Sequence, residues 1–341
     1  MMQSSQTTLQ TEGAQRMTRH FLRDDDLTPA EQHEVLHLAA SLKQAPYDSS
    51  SLAGPRTVAT IYDKPTLRTQ ASFAAGIAEL GGNPMLVDGA LAGIGKRESV
   101  ADVARVLGRQ ASAIVWRTYA QTALEEMAEH AGVPVINALT DEFHPCQLLA
   151  DLLTIRERKG ELAGRTVAFV GDGACNMGNS WLLAGATAGL HVRIAAPEGH
   201  QPEAQYVERA REIGARTGAT AEVMTDPKAA VAGVDVVVTD TWVSMGKEDE
   251  KAAREAAFAS YQLTTELLAH AKDDAIVLHC LPAYRGKEIT AEVIDGPQSV
   301  VWDEAENRRH AQKAVLAWLA AGGRAAIAGE RVETRHAGEQ T

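Results

Sequence analysis

Short apolar runs alternate with stretches of helical periodicity through the first half of the chain. The runs predict β-strands, because the buried strands of parallel sheets read as continuous apolar segments. Strands are predicted at Thr57–Tyr62, 85–87, Ala113–Arg117 and 133–138, and helices over 69–80, 99–109 and 121–130. This alternation indicates a parallel sheet with right-handed crossovers.

A second series follows a long helical pattern at Pro145–Lys159, which ends at Gly160 and predicts a spacer helix. Strands are predicted at Thr166–Val170, 191–196, 221–224, 234–239 and 275–279, helices over 180–188, 205–214 and 264–271, and a final helix over 308–319. The expected fold class is α/β, with two doubly wound parallel-sheet domains joined by inter-domain helices.

Composition suggests where these domains begin and end. Residues 1–16 are polar and rich in Gln, Thr and Ser, which predicts a disordered extension, so Met17 could be the true start. The first domain is expected over 17–150, completed by a C-terminal helix at 308–325, and the second over 151–307. Residues 326–341 are expected to form a loose tail.

Charge and cysteine content argue against several classes of partner. The net charge of −12 disfavours nucleic acid and anionic membranes, although a small anionic substrate could bind a local basic pocket. The sequence lacks an apolar run of membrane-spanning length and a secretory leader pattern. Three widely spaced cysteines match no disulfide framework or zinc pattern, so a protein of the reducing cytoplasm is expected.

Candidate anion-binding residues follow two strands of the first series. Residues 66–69, Thr-Leu-Arg-Thr, start a helix whose free N–H groups, together with the Arg68 guanidinium, suit phosphate oxygens. Arg117 ends a strand at the carboxyl edge, where ligands bind in open α/β sheets. The alternatives are a capped helix with a surface arginine, and a solvated charge at Arg117.

Further candidates lie at the start of the spacer helix and in the second series. His144 and Gln147 share a helix face and could bind a carbonyl oxygen and an amide, or His144 could cap the helix. Residues 171–178 resemble half of a dinucleotide-binding fingerprint, but Asn176 stands at the third glycine position. Asp240 could pair with an ammonium group or form a turn.

The stretch His279-Cys280-Leu281-Pro282 ends an apolar strand. Pro282 cannot continue a sheet ladder, so the chain leaves the sheet at its ligand-binding edge. Cys280 is either a small buried hydrophobe or a thiolate nucleophile. A nucleophile needs a base, and the adjacent His279 is expected to point to the opposite face of the strand.

In this order the motifs resemble the aspartate/ornithine carbamoyltransferase family, and within it the ornithine carbamoyltransferases. The matching segments are 64–73, 116–118, 141–154, 171–180, 239–246, 279–286 and 302–318, which together span the chain from about residue 20 to residue 319. The resemblance implies a donor domain followed by an acceptor domain and a cytoplasmic homotrimer of arginine biosynthesis. It also implies a cis bond between Leu281 and Pro282, and transfer of the carbamoyl group of carbamoyl phosphate to L-ornithine without metal or organic cofactor.

The resemblance also implies residue roles. Carbamoyl phosphate would be bound by Thr66, Leu67, Arg68, Thr69, Arg117, His144, Gln147, Cys280, Leu281 and Arg308. L-Ornithine would be bound by Asn176, Asp240, Ser244 and Met245. The implied catalytic residues are Arg117, His144, Asp240 and Cys280, acting by orientation and by stabilising the oxyanion as the amine attacks.

The chain departs from the family pattern mainly on the donor side. Leu67 and Gln70 replace a threonine and an arginine of the anion loop, and Gly93 replaces a glutamine that reaches the phosphate from a neighbouring subunit. Cys175 and Tyr284 replace an asparagine and a histidine. These changes predict a remodelled, inhibitor-tolerant phosphate pocket; the alternatives are a different amine acceptor or a catalytically weak binding paralogue.

Overall fold

The computed structural model describes residues 18–243 and 248–323. The extension at 1–16, Met17 and the tail at 326–341 lie outside the described residues. After the first helix, α1 (Pro29–Gln44), the chain forms a parallel sheet in the order β2-β1-β3-β4. Its strands are β1 (Thr57–Tyr62), β2 (Asn83–Asp88), β3 (Ala113–Arg117) and β4 (Val135–Leu139), with helices α2 (Arg68–Glu79), α3 (Gly89–Ala92), α4 (Val100–Leu107) and α5 (Gln121–Ala131).

The spacer helix α6 (Pro145–Lys159) leads to a second parallel sheet in the order β7-β6-β5-β8-β9. Its strands are β5 (Thr166–Val170), β6 (His191–Ala195), β7 (Thr220–Met224), β8 (Val236–Thr239) and β9 (Ile276–His279). The helices are α7 (Asn176–Thr187), α8 (Ala204–Thr217), α9 (Pro227–Val231), α10 (Lys251–Phe258), α11 (Thr265–Leu268) and α12 (Ala291–Ile294). The predicted fold class of two parallel-sheet α/β domains is confirmed.

The final helix differs from its prediction at both ends. Helix α13 spans Val301–Ala320, so it begins seven residues before the predicted start at 308 and ends before 325. Its first two turns carry buried polar residues, Glu304 and Asn307, which obscured the apolar periodicity. The helix packs against α1, α2 and α6, so the C-terminus returns to the first domain.

Several other elements also differ from their predicted bounds. Helix α7 begins at Asn176, four residues before its predicted start, because its first turn is buried against the first domain. The helix predicted over 264–271 is a single turn, α11, which Thr264 caps by accepting from the backbone N–H of Leu267 at 3.1 Å. No helix in the described ranges is both long and apolar enough to cross a bilayer.

The arrangement of the strands places the carboxyl ends of both sheets beside one another. The central strands β1 and β3 of the first sheet, and β5 and β8 of the second, are almost entirely buried. In parallel sheets, the residues that follow such strands gather at one edge. The cleft between the domains is therefore lined by the residues after β1, β3, β8 and β9.

Candidate active site

The turn after β1 and the start of α2 contain a buried hydroxyl, that of Thr69, and an exposed apolar side chain, that of Leu67. Helix α2 begins at Arg68, and the preceding Leu67 occupies the N-cap position without a capping side chain. Thr69 is 1% exposed, whereas the Leu67 side chain is 77% exposed. The predicted helix N-terminus is present, but Leu67 can offer an anion only its backbone N–H.

Two guanidinium groups converge on Thr69. Its hydroxyl oxygen lies 3.4 Å from Nη1 of Arg117 and 3.4 Å from Nη2 of Arg308. Both arginines are buried, and the Nε of each lacks a hydrogen-bond partner in the described part of the chain. Burial, reinforced by the charge of Arg308, lowers the pKa of Arg117 to about 10. Buried cations that repel one another form a site that favours an anion.

His144 is buried near the two arginines of this basic site and is uncharged at neutral pH. Burial lowers its pKa well below the usual range, and the charges of Arg308 and Arg117 add to that effect. Its backbone N–H donates to Ser180 Oγ at 2.8 Å, and its side chain makes no capping bond to α6. His144 therefore occupies the N-cap position of α6, as the capping alternative expected, but its side chain does not cap the helix. Its Nδ1 has no partner among the described residues, so a ring nitrogen remains available to a ligand.

Gln147 connects the basic site to two buried carboxyl groups. Its Oε1 accepts from Arg308 Nη1 at 2.6 Å, and its Nε2 donates to Asp151 at 2.8 Å and to Glu304 at 2.9 Å. An amide that must donate to two carboxyls and accept from a guanidinium has one consistent orientation. Asp151 and Glu304 could not be recognised from the sequence, because an isolated carboxyl on a helix is usually solvated.

Across the cleft, the thiol of Cys280 donates to Asp240 Oδ1 at 3.1 Å. Burial and the carboxylate of Asp240 raise the pKa of Cys280 well above its usual range, and burial also raises the pKa of Asp240. A thiolate nucleophile requires the opposite shift. The geometry therefore favours Cys280 as a hydrogen-bond donor in the wall of the site.

The His279 side chain is hydrogen-bonded to groups other than the thiol, but the expectation that it points to the opposite face of the strand is wrong, since one of its ring nitrogens lies within 4.8 Å of Cys280 Sγ. Its Nε2 lies 3.1 Å from Glu288 Oε1, and its Nδ1 accepts from the Leu281 N–H at 2.9 Å. Donor atoms of Asp240, His279 and Cys280 lie within 4.8 Å of one another, a group that could hold a metal ion. Each of these side chains already has a hydrogen-bond partner, so the described residues are satisfied without a cation.

Leu281 adopts an unusual backbone conformation. Its φ of 55° lies in the left-handed region, and the bond to Pro282 is cis, as expected. A left-handed conformation costs a residue with a Cβ about 1 kcal/mol or more, and such residues cluster at functional sites. The bond to His279 Nδ1 helps to hold this conformation and fixes the direction of the Leu281 carbonyl.

The second domain contributes the start of α7 to the same cleft. Asn176 Nδ2 donates to the Thr140 carbonyl at 2.8 Å, so its amide bridges the two domains. Ser244 and Met245 lie outside the described residues. Just before them, the carbonyl of Trp242 accepts from Arg254 Nε at 2.6 Å, and Arg254 is also paired with Asp172. Arg254 was missed because nothing in the sequence marks it as buried.

Comparison with known proteins gives consistent matches over both domains. The family model described as "Aspartate/ornithine carbamoyltransferase, carbamoyl-P binding domain" matches residues 19–157, and the corresponding "Asp/Orn binding domain" matches residues 163–319. An ornithine carbamoyltransferase of Clavibacter michiganensis subsp. michiganensis is 64% identical over 303 residues, covering 89% of this chain and 99% of the relative. That of Leifsonia xyli subsp. xyli is 60% identical over 305 residues, covering 89% and 98%.

Solved structures agree with the sequence relatives. The ornithine carbamoyltransferase structure from Gloeobacter violaceus is 46% identical with a TM-score of 0.81, covering 89% of this chain and 99% of that chain. The structure from Pyrococcus furiosus is 42% identical with a TM-score of 0.84, covering 88% and 96%. The similarity therefore extends over both domains in sequence and in fold.

Proposed function

The chain belongs to the aspartate/ornithine carbamoyltransferase family, and we propose that it transfers the carbamoyl group of carbamoyl phosphate to the side-chain amine of L-ornithine. The products are L-citrulline and phosphate. The observation that carries this proposal is the convergence of Arg117, Arg308 and uncharged His144 on one side of a cleft, opposite the pair of Asp240 and Cys280. The first side suits an anionic acyl donor, and the second suits an amine.

The first domain, residues 17–150 with the final helix, binds the donor. Arg68, Thr69 and the backbone N–H groups of Thr66 and Leu67 hold the phosphate, with Arg308 closing the site. Arg117 and His144 donate to the carbamoyl oxygen. The Gln147 oxygen and the Leu281 carbonyl accept from the carbamoyl amide, since the amide orientation of Gln147 leaves its oxygen facing Arg308.

The second domain, residues 151–307, binds the acceptor. Asp240 and Cys280 contact the reacting amine, while Asn176, Ser244 and Met245 hold the rest of ornithine. The uncharged amine attacks the carbamoyl carbon, and the new C–N bond places negative charge on the oxygen held by Arg117 and His144. The C–O bond to phosphate then breaks, and the phosphate leaves with the bonding pair and takes up the proton lost by nitrogen.

This reaction draws on orientation and charge stabilisation, with the amine of ornithine as the nucleophile. It therefore needs no metal and no organic cofactor. The intact sequence Ser244-Met245-Gly246 favours ornithine over another amine. The retained Arg68, Arg117, His144 and Cys280 disfavour a binding protein without activity.

The phosphate pocket is remodelled relative to the family pattern. The exposed Leu67 side chain supports this proposal, because it leaves the N-cap position of α2 without a hydroxyl. Gly93 ends α3 with a φ of 65°, a conformation that disfavours the glutamine of the family at this position. A pocket with fewer phosphate donors would also bind phosphate-mimicking inhibitors less tightly.

The working form is a cytoplasmic homotrimer, in a route that forms arginine. Its subunit contacts would use the side of the first sheet that ends at the edge strand β2. Leu86 on β2 and Leu91 on α3 support this, since they are 59% and 81% exposed in the single chain. Exposed leucines beside a sheet edge are typical of an interface.

Product analysis tests the proposed reaction. Incubation with carbamoyl phosphate and L-ornithine should release citrulline and phosphate in equal amounts, and aspartate should not replace ornithine. Absence of citrulline at saturating concentrations of both substrates would refute the proposal. A higher rate of carbamoylation with another amine than with L-ornithine would identify that amine as the acceptor instead.

A further inference from the structure

The buried carboxyl groups of Asp151 and Glu304 lie directly behind the proposed carbamoyl-binding residues. Asp151 lies on α6 and Glu304 is the fourth residue of α13, so the two come from different helices. Both side chains are almost completely buried, at 0% and 1% exposure. The amide nitrogen of Gln147 donates to both of them. The charge of Arg308 on α13 lowers the pKa of both carboxyls, and that of Asp240 after β8 raises the pKa of Asp151. Both carboxyls in turn raise the pKa of the Cys280 thiol after β9.

Glu304 uses both of its oxygens as acceptors. Oε1 accepts from Gln147 at 2.9 Å, and Oε2 accepts from the backbone N–H of His279 at 2.8 Å. The residue also lies near the N-terminus of α13, where the helix dipole favours a negative charge. These partners are those expected of an ionised carboxylate.

Asp151 has different surroundings. Its Oδ1 accepts from Gln147 at 2.8 Å, but no N–H or O–H of the described residues is directed at Oδ2. The residue lies in the interior of α6, away from a helix N-terminus. Two buried carboxyls with one nearby guanidinium cannot both ionise without a large cost, and they then share one proton.

We propose that Asp151 and Glu304 form a positioning pair for carbamoyl transfer, in which Asp151 carries a proton on Oδ2 and Glu304 is ionised. The pair acts through other groups and does not touch substrate. It fixes the Gln147 amide with its oxygen toward the donor, and it anchors the backbone at His279, just before Cys280 and Leu281. Its role in the reaction rests on the proposed function, whereas its protonation state does not.

Burial raises the pKa of both carboxyls, and the two side chains contact each other, which agrees with one proton retained on the pair. The pair also fixes the positions of the residues around it. Residues from α6, α13 and the end of β9 meet at this pair, so the donor-side Gln147 and the acceptor-side wall keep a fixed relation.

Amide substitutions distinguish the two members. Asp151→Asn keeps a side-chain oxygen that accepts from Gln147, and its NH₂ group replaces the protonated Oδ2. We therefore expect kcat to fall by less than about threefold. Glu304→Gln has only one side-chain oxygen to accept from two donors, and its new amide NH₂ group would face the N–H of either Gln147 or His279. We therefore expect kcat to fall by about tenfold or more. Asp303→Asn, an exposed neighbour on the same helix, is the matched control and should match wild type.

The kinetic readout separates positioning from a structural role. The phosphate is held by other residues, so the KM for carbamoyl phosphate should change by less than about threefold in Glu304→Gln while kcat falls. Melting temperatures identify loss of folded protein. Equal losses of kcat in the two amide variants, or wild-type rates in Glu304→Gln, would overturn the proposal.

Infrared spectroscopy tests the proton without reference to activity. At neutral pH the wild-type protein should show the carbonyl stretch of protonated carboxylic acids. Asp151→Asn should remove the contribution of Asp151 to this band, whereas Asp303→Asn should leave the band unchanged. Persistence of the full band in Asp151→Asn would overturn the assigned protonation. An inactive wild-type enzyme would refute the proposed function but leave this measurement unaffected.

Discussion

The thiol of Cys280 donates a hydrogen bond to the carboxylate of Asp240, across 3.1 Å and 40 positions of sequence. The contact joins the ends of the neighbouring strands β8 and β9 at the wall of the cleft. It gives both groups a partner and keeps the thiol protonated, since burial beside a carboxylate raises the pKa of the thiol. The side of the cleft that we propose for the amine is therefore a hydrogen-bonded surface.

Removing the thiol should weaken the acceptor side without abolishing turnover. Cys280→Ala deprives Asp240 of a donor, and we expect kcat/KM for ornithine to fall by about tenfold. Cys280→Ser keeps a donor and should lose less. Steady-state kinetics with varied ornithine measures both. A loss of about 10⁴-fold or more in the two variants alike would instead indicate a covalent nucleophile.

Arg117 should be sensitive even to a conservative change. Its Nη1 lies 3.4 Å from Thr69, and a lysine cannot reproduce the planar set of donors at this position. We expect Arg117→Lys to lower kcat by about 100-fold, because the oxyanion loses a positioned donor. Arg105→Lys, an exposed residue of α4, is the control. Equal rates in the two variants would contradict the assigned role.

Leu67→Thr restores the side chain of the family pattern at an exposed position. The hydroxyl adds one charge-assisted hydrogen bond to phosphate, so the KM for carbamoyl phosphate should fall by about tenfold. The melting temperature should stay near that of wild type, because the leucine side chain is 77% exposed. An unchanged KM would show that other residues already compensate for Leu67.

Gly93→Gln should be costly, although it also restores the family residue. The φ of Gly93 is 65°, and a Cβ there would lie 3.1 Å from the Cβ of Arg97. We expect a loss of about 1–2 kcal/mol in the free energy of unfolding. Ala90→Gln, at an exposed position of the same short helix, should cost much less. Similar denaturant midpoints for both variants would contradict this account of Gly93.

Acid should destabilise the protein partly through buried histidines. Burial lowers the pKa of His310 to about 4, with Arg309 and Lys313 adding to the effect, so the unfolded chain binds its proton first. The stabilising contribution is present above about pH 6.5 and is lost as the pH falls toward 4.

Urea unfolding of wild type and His310→Gln at pH 7 and about pH 5 isolates this contribution. Wild type should lose about 1 kcal/mol more than the variant, since solvent near the half-exposed Glu306 screens part of the effect. His33→Gln, an exposed position of α1, is the control. Parallel losses in wild type and His310→Gln would contradict the prediction.

The sequence predicted strands better than helices that begin with polar residues. Strands such as Thr57–Tyr62 and Thr166–Val170 were placed correctly, because each is a continuous apolar run between polar turns. The start of α13 was missed because Glu304 and Asn307 are buried in hydrogen bonds to α6 and to the end of β9. Burial of a polar helix face depends on tertiary packing, which periodicity does not report.

The same limit applies to the candidate site. Arg117 and Asp240 could be predicted because they follow buried strands at the ligand-binding edge. Asp151 and Arg254 lie inside helices, where carboxylates and guanidiniums are usually solvated. Gln147 and Asp151 share one face of α6, but the sequence does not show that this face is buried. Arg254 lies on α10 and Trp242 lies in the segment after β8, so their contact forms only on folding.

The central claim is most directly tested by initial rates of citrulline formation at saturating carbamoyl phosphate and L-ornithine, in wild type and in Asp240→Asn. The account predicts continuous turnover by wild type and a loss of about 100-fold or more in the variant, because Asp240 contacts the reacting amine. Absence of citrulline with wild type, or an undiminished rate in Asp240→Asn, would contradict it.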